Sequence, residues 1–199
     1  TTGWFRYDST NPVTCSDSFG FRVPFSSGTF LGSGTTAQAY SQSISLTPGT
    51  QYWYCAIGSN GVGTSFGTVE TFTAPATAHI VSTGSATLIT GTSATLNGSA
   101  TPRGATSTGF FRYATVNPGT CNDSFGTRAP ASGGTARGSG NSAIPFSERL
   151  TGLLPGTTYY YCAIANNSVG NGFGAMSSFT TPNVLTVTTS AVSSISGTT

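Results

Sequence analysis

The residues best placed to do chemistry in this chain are four cysteines, Cys15, Cys55, Cys121 and Cys162. They could bind a metal or form disulfides. Structural zinc wants four clustered N or S ligands at short spacings, and His79 is the one histidine that could join them. Three disulfide pairings are formally open. Cys15 with Cys55 and Cys121 with Cys162 is favoured, because the two pairs fall at equivalent places in two similar segments, each of which must be stable alone. Each bridge would close a loop of about forty residues, contributing roughly 4 kcal/mol on the chain-entropy estimate. Disulfides imply an oxidising compartment.

The other ionisable residues form no catalytic pattern. Asp17 recurs as Asp123, Arg6 as Arg112 and Arg22 as Arg128. An Asp-Ser-Phe-Gly with Arg five residues after the Asp reads as an Asx-turn closed by a local ion pair. Glu70 and Glu148 meet Ser177 and Ser41 at the matching positions, so no carboxylate pair for glycoside hydrolysis is built into the repeat. A Ser-His-Asp arrangement would have to use His79, which has no nucleophile motif around it. Gly61-Val62-Gly63-Thr64-Ser65-Phe66-Gly67 mimics a nucleotide loop but lacks the Lys and the following helix, so it reads as a hairpin. Asn97, Asn122 and Asn166 each open an N-glycosylation triplet. No enzyme activity, metal or cofactor is expected.

What must position these residues is a repeat. Trp4-Phe5-Arg6-Tyr7 returns as Phe110-Phe111-Arg112-Tyr113, and Tyr52-Trp53-Tyr54-Cys55-Ala56-Ile57 as Tyr159-Tyr160-Tyr161-Cys162-Ala163-Ile164. Cys15 recurs 106 residues on and Cys55 107 residues on. A period near a hundred residues is a whole small domain, not a solenoid turn. The ends are out of phase with it. Residues 1–75 read as an incomplete domain, 76–182 as a complete one, and 183–199 as the first strand or strands of a further repeat, or a donor strand. The first copy thus lacks counterparts of 76–107. With no signal peptide and no initiator Met, the segment is expected to be processed or a window onto something longer.

Composition bounds the class. Charged residues make up 6% and hydrophobic residues 36%, and no apolar run reaches a membrane-spanning length. Roughly a third of the residues are Ser or Thr, far above ordinary usage. All seven basic residues are Arg, and the net charge of +2 forms no basic stripe, so nucleic acid is not expected as a partner. Short strands and tight turns follow from the Thr, aromatic and Gly content. In the complete copy, strands are expected over His79–Thr90 (an edge), Ser93–Gly98, Thr108–Ala114, Phe146–Leu153, Thr158–Ala165 and Phe173–Thr181, with a turn at Pro102-Arg103-Gly104. That spacing indicates an all-β sandwich.

Leu46-Thr47-Pro48-Gly49-Thr50-Gln51-Tyr52 and Leu153-Leu154-Pro155-Gly156-Thr157-Thr158-Tyr159 resemble the L-x-P-G-T-x-Y turn of fibronectin type III domains. The closing Phe72-Thr73-Ala74-Pro75 and Phe179-Thr180-Thr181-Pro182 resemble their last strand and linker. The whole chain is similar to the tandem Thr-rich repeats of this kind in large bacterial surface and secreted proteins. The resemblance implies a Leu plugging the core and a Tyr making a tyrosine corner; it implies no activity. With Tyr52 inward, Tyr54 and Ala56 follow it, and Trp53, Cys55 and Ile57 face outward. The bridge then lies on the outer face. There the stapled loop, with Phe19, Phe21 and Phe25, should roof Trp4, Trp53 and Cys55, with an Arg stacked on Trp4.

Function is expected to be structural. A half sandwich leaves an apolar face and sheet edges unpaired, which is costly in water. Tail residues Val184, Leu185, Val187, Val192 and Ile195 have strand composition and match the first strands that the leading copy lacks. Borrowed strands from other copies of the chain would build a head-to-tail homopolymer, and a long covalent array is the equivalent alternative. The place is extracellular or the cell surface. Competing readings are an adhesin or carbohydrate-binding stalk, with glycans or a cell surface as partner, and a spacer in a secreted hydrolase.

Overall fold

A computed structural model describes residues 1–185, 187–189 and 197, and among them there is no helix. The leading copy contributes β1 (Thr2–Asp8), β2 (Phe21–Val23), β3 (Thr29–Phe30), β4 (Gln51–Ser59), β5 (Thr64–Phe66) and β6 (Glu70–Thr73). The second contributes β7 (Ile80–Thr87), β8 (Ser93–Thr101), β9 (Ser107–Ala114), β10 (Thr127–Ala129), β11 (Thr135–Gly138) and β12 (Ile144–Thr151). Its last strands are β13 (Thr158–Asn167), β14 (Gly170–Phe173) and β15 (Ser177–Thr180).

The second copy is a sandwich of two antiparallel sheets. In one, β9 and β13 pair centrally, flanked by β10 and β11 on one edge and β14 and β15 on the other; the second runs β12-β8-β7. Alternation along β13 sends Tyr159, Tyr161 and Ala163 into the core between the sheets, where they meet Phe111, Leu96 and Phe146. The Tyr161 hydroxyl donates to Gly84 O at 2.7 Å, tying the two sheets together. Leu153 is buried in the same core, and the Tyr159 hydroxyl accepts the Leu154 N–H at 2.9 Å, as a tyrosine corner should. Tyr52 does the same for Thr47 N–H at 3.2 Å.

The leading copy repeats only the first of these sheets: β1 and β4 central, β2 and β3 on one side, β5 and β6 on the other. No strand among the described residues of 1–75 stands where β7, β8 or β12 stand in the second copy. The segment that matches β12 is residues 38–45, since Tyr40 meets Phe5 as Phe146 meets Phe111; this puts Gln42 rather than Ser41 at the place of Glu148, and the segment is not a strand. β12 pairs with β8 along all eight of its residues, and that partner has no counterpart here. The copies meet where Asn141 Nδ2 donates to Pro48 O at 2.9 Å and Gly49 packs on Gly104. Both glycines have positive φ (70° and 95°), and a Cβ on either would strike the other's backbone.

Two strand expectations need correcting. The stretch Phe173–Thr181 is not one strand: β14 ends at Phe173 and β15 begins at Ser177, and between them Gly174 lets the β7 backbone at Thr83 approach closely. The long excursions after β1 and β9 contain short edge strands that period-two patterning is too brief to reveal, β2, β3, β10 and β11.

Candidate functional site

The outer face of each large sheet carries the staple. Cys15 bonds Cys55 and Cys121 bonds Cys162, with Cα–Cα separations of 5.9 and 6.0 Å. β4 turns Cys55 and Ile57 away from the sandwich side, and with Trp4 they form a buried cluster that Cys15, Phe19 and Val69 cover. Phe110, Cys162 and Ile164 do the same under Cys121, Phe125 and Met176. The Arg22 guanidinium lies 4.5 Å over the Trp4 ring, and Arg128 lies 3.9 Å over Phe110. The roof is smaller than expected from sequence. Phe21 lies on the opposite, inner face, 5.8 Å from the Tyr7 ring, Phe25 is 93% exposed, and Trp53 is only half-buried outside the cluster. The loop is pinned over the Trp4–Ile57 end of the sheet, so it covers neither Trp53 nor Phe25.

The recurring Asp does not pair with the Arg five residues on. Asp17 Oδ1 accepts from Arg6 Nε at 3.0 Å and from Trp4 Nε1 at 2.8 Å, and Asp123 pairs with Arg112 Nε at 3.0 Å. Register explains the exchange. Arg22 stands opposite Arg6 across β1 and β2, and it is committed to the Trp4 face. Arg6 also donates to the carbonyls of Asp17, Phe19 and Gly20, so it clamps the loop rather than offering a binding site. The Asx-turn belongs to Asn122, whose Oδ1 accepts from Ser124 N–H and Phe125 N–H.

Burial pushes the Asp17 carboxyl up, but the hydrogen bonds from Trp4 and Arg6 and the charges of Arg6 and Arg22 outweigh it, leaving it below its ordinary 3.8. A depressed carboxyl stabilises the fold above its unfolded value and loses that contribution as pH falls through the folded one. With Asp17 half-exposed, the effect should stay under about 1 kcal/mol. Melting of the leading copy, followed by tryptophan fluorescence, is expected at lower temperature at pH 3 than at pH 6. Asp17→Asn should lower the pH 6 value and flatten that dependence; an unchanged pH profile in the variant would refute the assignment.

His79 does meet a serine: its Nε2 lies 2.7 Å from Ser107 Oγ. Both residues are buried, Ser107 completely, and His79 Nδ1 has no partner among the described residues. Among the described residues no acid contacts the ring, and Ser107 is fully buried. Burial holds His79 below its ordinary 6.5, in the neutral form.

The inner face of the leading sheet is the feature that stands out. Its aromatic array repeats that of the second copy nearly ring for ring. Phe5 lies tilted against Tyr40 at 4.7 Å between centroids as Phe111 does against Phe146 at 4.9 Å, and Tyr54 meets Phe72 at 5.7 Å as Tyr161 meets Phe179 at 5.8 Å. In the second copy the array is closed over; in the first it borders an open cavity of about 340 Å³ lined by Phe5, Tyr7, Tyr40, Ile44, Tyr54 and Phe72. Phe72 is 37% exposed where Phe179 is 7%. Burial pushes the Tyr40 phenol up, against the lowering effect of its hydrogen bond to Ile57 O. Tail residues Val184, Leu185 and Val187 are exposed and belong to no strand, while Val192 and Ile195 lie outside the described residues. No helix among the described residues is long and apolar enough to cross a membrane, and no group of three metal-ligating side chains occurs among them.

No family model and no curated protein matches the chain. Among solved structures it is similar to the sensor domain of the anti-sigma factor RsgI4 of Pseudobacteroides cellulosolvens, at 21% identity and TM-score 0.38 over 57% of this chain and 99% of that one. It is similar to a two-domain fibronectin type III segment of chicken tenascin, at 17% identity and TM-score 0.39 over 91% and 85%. The FN1–FN3 domains of chicken CNTN1 match at 16% identity and TM-score 0.40 over 72% and 46%. Strand pairing and core together make this an all-β chain, stapled by two disulfides, in which the second copy is a closed two-sheet sandwich and the leading copy an open sheet.

Proposed function

We propose that the chain is a structural unit of an extracellular filament or surface fibre, in which the open leading sheet is completed by strands of another copy of the repeat. The copies join head to tail by strand complementation or follow one another in a long covalent array. The observation that carries this reading is the aromatic inner face, which is buried in the second copy and open in the first. Exposed aromatic surface of this extent favours a partner, and a contact between unlike ends repeats without closing. The disulfides suit an oxidising exterior, and the scarcity of charge weakens the usual guard against self-association. The exposed Val184, Leu185 and Val187 are suited to lend a strand edge. Residues 1–75, 76–182 and 183–199 then act as acceptor, closed spacer and donor.

Purified chain at high concentration is expected to form long fibres, seen by electron microscopy, that resist heat until a reductant is added. Monodisperse monomers by light scattering under those conditions would refute assembly. A second reading, adhesion through a glycan-binding surface, draws on Phe25 and Phe30, which stand exposed beside the stapled loop. It requires saturable binding of the leading copy's stapled loop to a glycan, abolished in Phe25→Ala.

A further inference from the structure

Ala74-Pro75-Ala76-Thr77 joins the two copies, and each end of it is tied down. Ala74, only 3% exposed, belongs to the leading copy: its N–H donates to Thr50 O at 2.9 Å, and its carbonyl accepts the Gly49 N–H at 2.8 Å. Thr77 belongs to the second copy. It donates its N–H to Arg103 O at 3.0 Å and accepts from Asn167 Nδ2 at 3.5 Å. Only Pro75 and Ala76 stand between these anchors, and the proline ring fixes its own φ. A free linker between domains is exposed, flexible and crossed by few contacts. This one is short and bonded on both sides.

The turns beside the linker also touch directly. A Cβ on Gly49 would fall 2.4 Å from Gly104 Cα, and one on Gly104 would fall 2.6 Å from Gly49 N, so the contact has room for no side chain. Arg103 and Gly104 are held in turn by a second loop of their own copy, donating their N–H groups to Gly140 O and Ser139 O at 2.9 Å. From that loop Asn141 Nδ2 reaches Pro48 O at 2.9 Å. Asn167 Nδ2 also bonds the carbonyl of the fully buried Pro102 at 3.1 Å. Pro48 and Gly49 are thus met by two loops of the second copy that are bonded to each other. Both halves of the joint recur in the repeat. Gly138-Ser139-Gly140 repeats Gly32-Ser33-Gly34, and Pro155-Gly156-Thr157 repeats the receiving turn, with Gly156 again at positive φ (62°). We infer that the joint is a rigid coupling between unlike ends of the repeat, which holds neighbouring copies at one fixed orientation. The Gly49–Gly104 contact and the Asn141 hydrogen bond are its orienting elements. Copies coupled in this way accumulate a constant rotation and form a stiff rod of set twist. These contacts lie inside this chain, so the joint holds whether or not chains assemble.

The test places spin labels in the full, disulfide-bonded chain at two exposed positions, Val62 in the leading copy and Leu88 in the second. Both enter as noncanonical residues, which leaves the four cysteines paired. Labelled chain is diluted into unlabelled chain, so that double electron–electron resonance reads distances within one molecule. A single narrow distribution is expected. Inserting Gly-Gly between Pro75 and Ala76 should broaden it at least about twofold, because the two anchors then no longer constrain each other. Asn141→Ala combined with Gly104→Ala should approach the same breadth. Asn141 is exposed and outside the strands, so Asn141→Ala alone keeps both copies folded, checked by far-ultraviolet dichroism, and should broaden the distribution partway. A parent distribution as broad as that of the Gly-Gly chain would overturn the inference, and so would Asn141 variants as narrow as the parent. A narrow distribution in a chain that stays monomeric would uphold the joint and refute assembly. Fibres built from chains with a broad distribution would do the reverse.

Discussion

Replacing Cys121 and Cys162 together by Ala is expected to lower the unfolding free energy of the closed copy by about 4 kcal/mol, the chain-entropy value for a loop of this size. The bridge spans 41 residues and fastens the excursion carrying β10 and β11 to β13, at the centre of the large sheet. That excursion holds little apolar surface of its own, and Phe125 is its main contribution to the outer cluster. Without the covalent tie, the excursion is held by the short ladders of β10 and β11 on β9, one ion pair and two carbonyl hydrogen bonds from Arg112. The same change at Cys15 and Cys55 should be more damaging. Among the described residues nothing forms a second sheet over its inner face, so losing the outer staple should unfold it outright in the dispersed chain. Both tryptophans, Trp4 and Trp53, lie in the leading copy. Tryptophan fluorescence therefore reports that copy alone, while far-ultraviolet dichroism in urea reports both. A loss under about 1 kcal/mol in the closed copy would show that the staple only tethers a loop.

A paired substitution should expose the asymmetry between the copies. Phe111→Ala is expected to cost about 3–5 kcal/mol, because Phe111 is fully buried between the sheets against Phe146 and the cavity left behind cannot collapse. Phe5→Ala, the same residue one repeat earlier, should cost only about 1 kcal/mol in dispersed chain, since Phe5 is only partly buried and borders the open cavity. Denaturation of each variant, with the two probes above, measures both costs. Assembly should react in the opposite order. Phe5→Ala should abolish fibres while the monomer stays folded, and Phe111→Ala should act through loss of the fold. Equal costs in dispersed chain would mean that the leading face is covered in solution, which the proposed role does not allow.

Much of this was legible from residue order because it depends on local and periodic information. The offset of the two copies places Cys15 with Cys55 and Cys121 with Cys162. Strand alternation places Tyr54 and Ala56 on one face and Cys55 and Ile57 on the other, and the Leu-x-Pro-Gly turns announce the tyrosine corners. Such features follow from chain neighbours and strand period alone. The partner of Asp17, the bearer of the Asx-turn and the reach of the stapled roof were misread, because each is settled by competition between groups far apart in the chain. Arg6 takes Asp17 because β1 and β2 bring two arginines face to face and Trp4 engages the other. Residues 38–45 show the same limit from the other side. Their pattern is a strand pattern, as β12 demonstrates, yet a strand exists only where a neighbour answers its backbone groups. Sequence carries the capacity to pair; the presence or absence of β8 alongside decides whether pairing occurs.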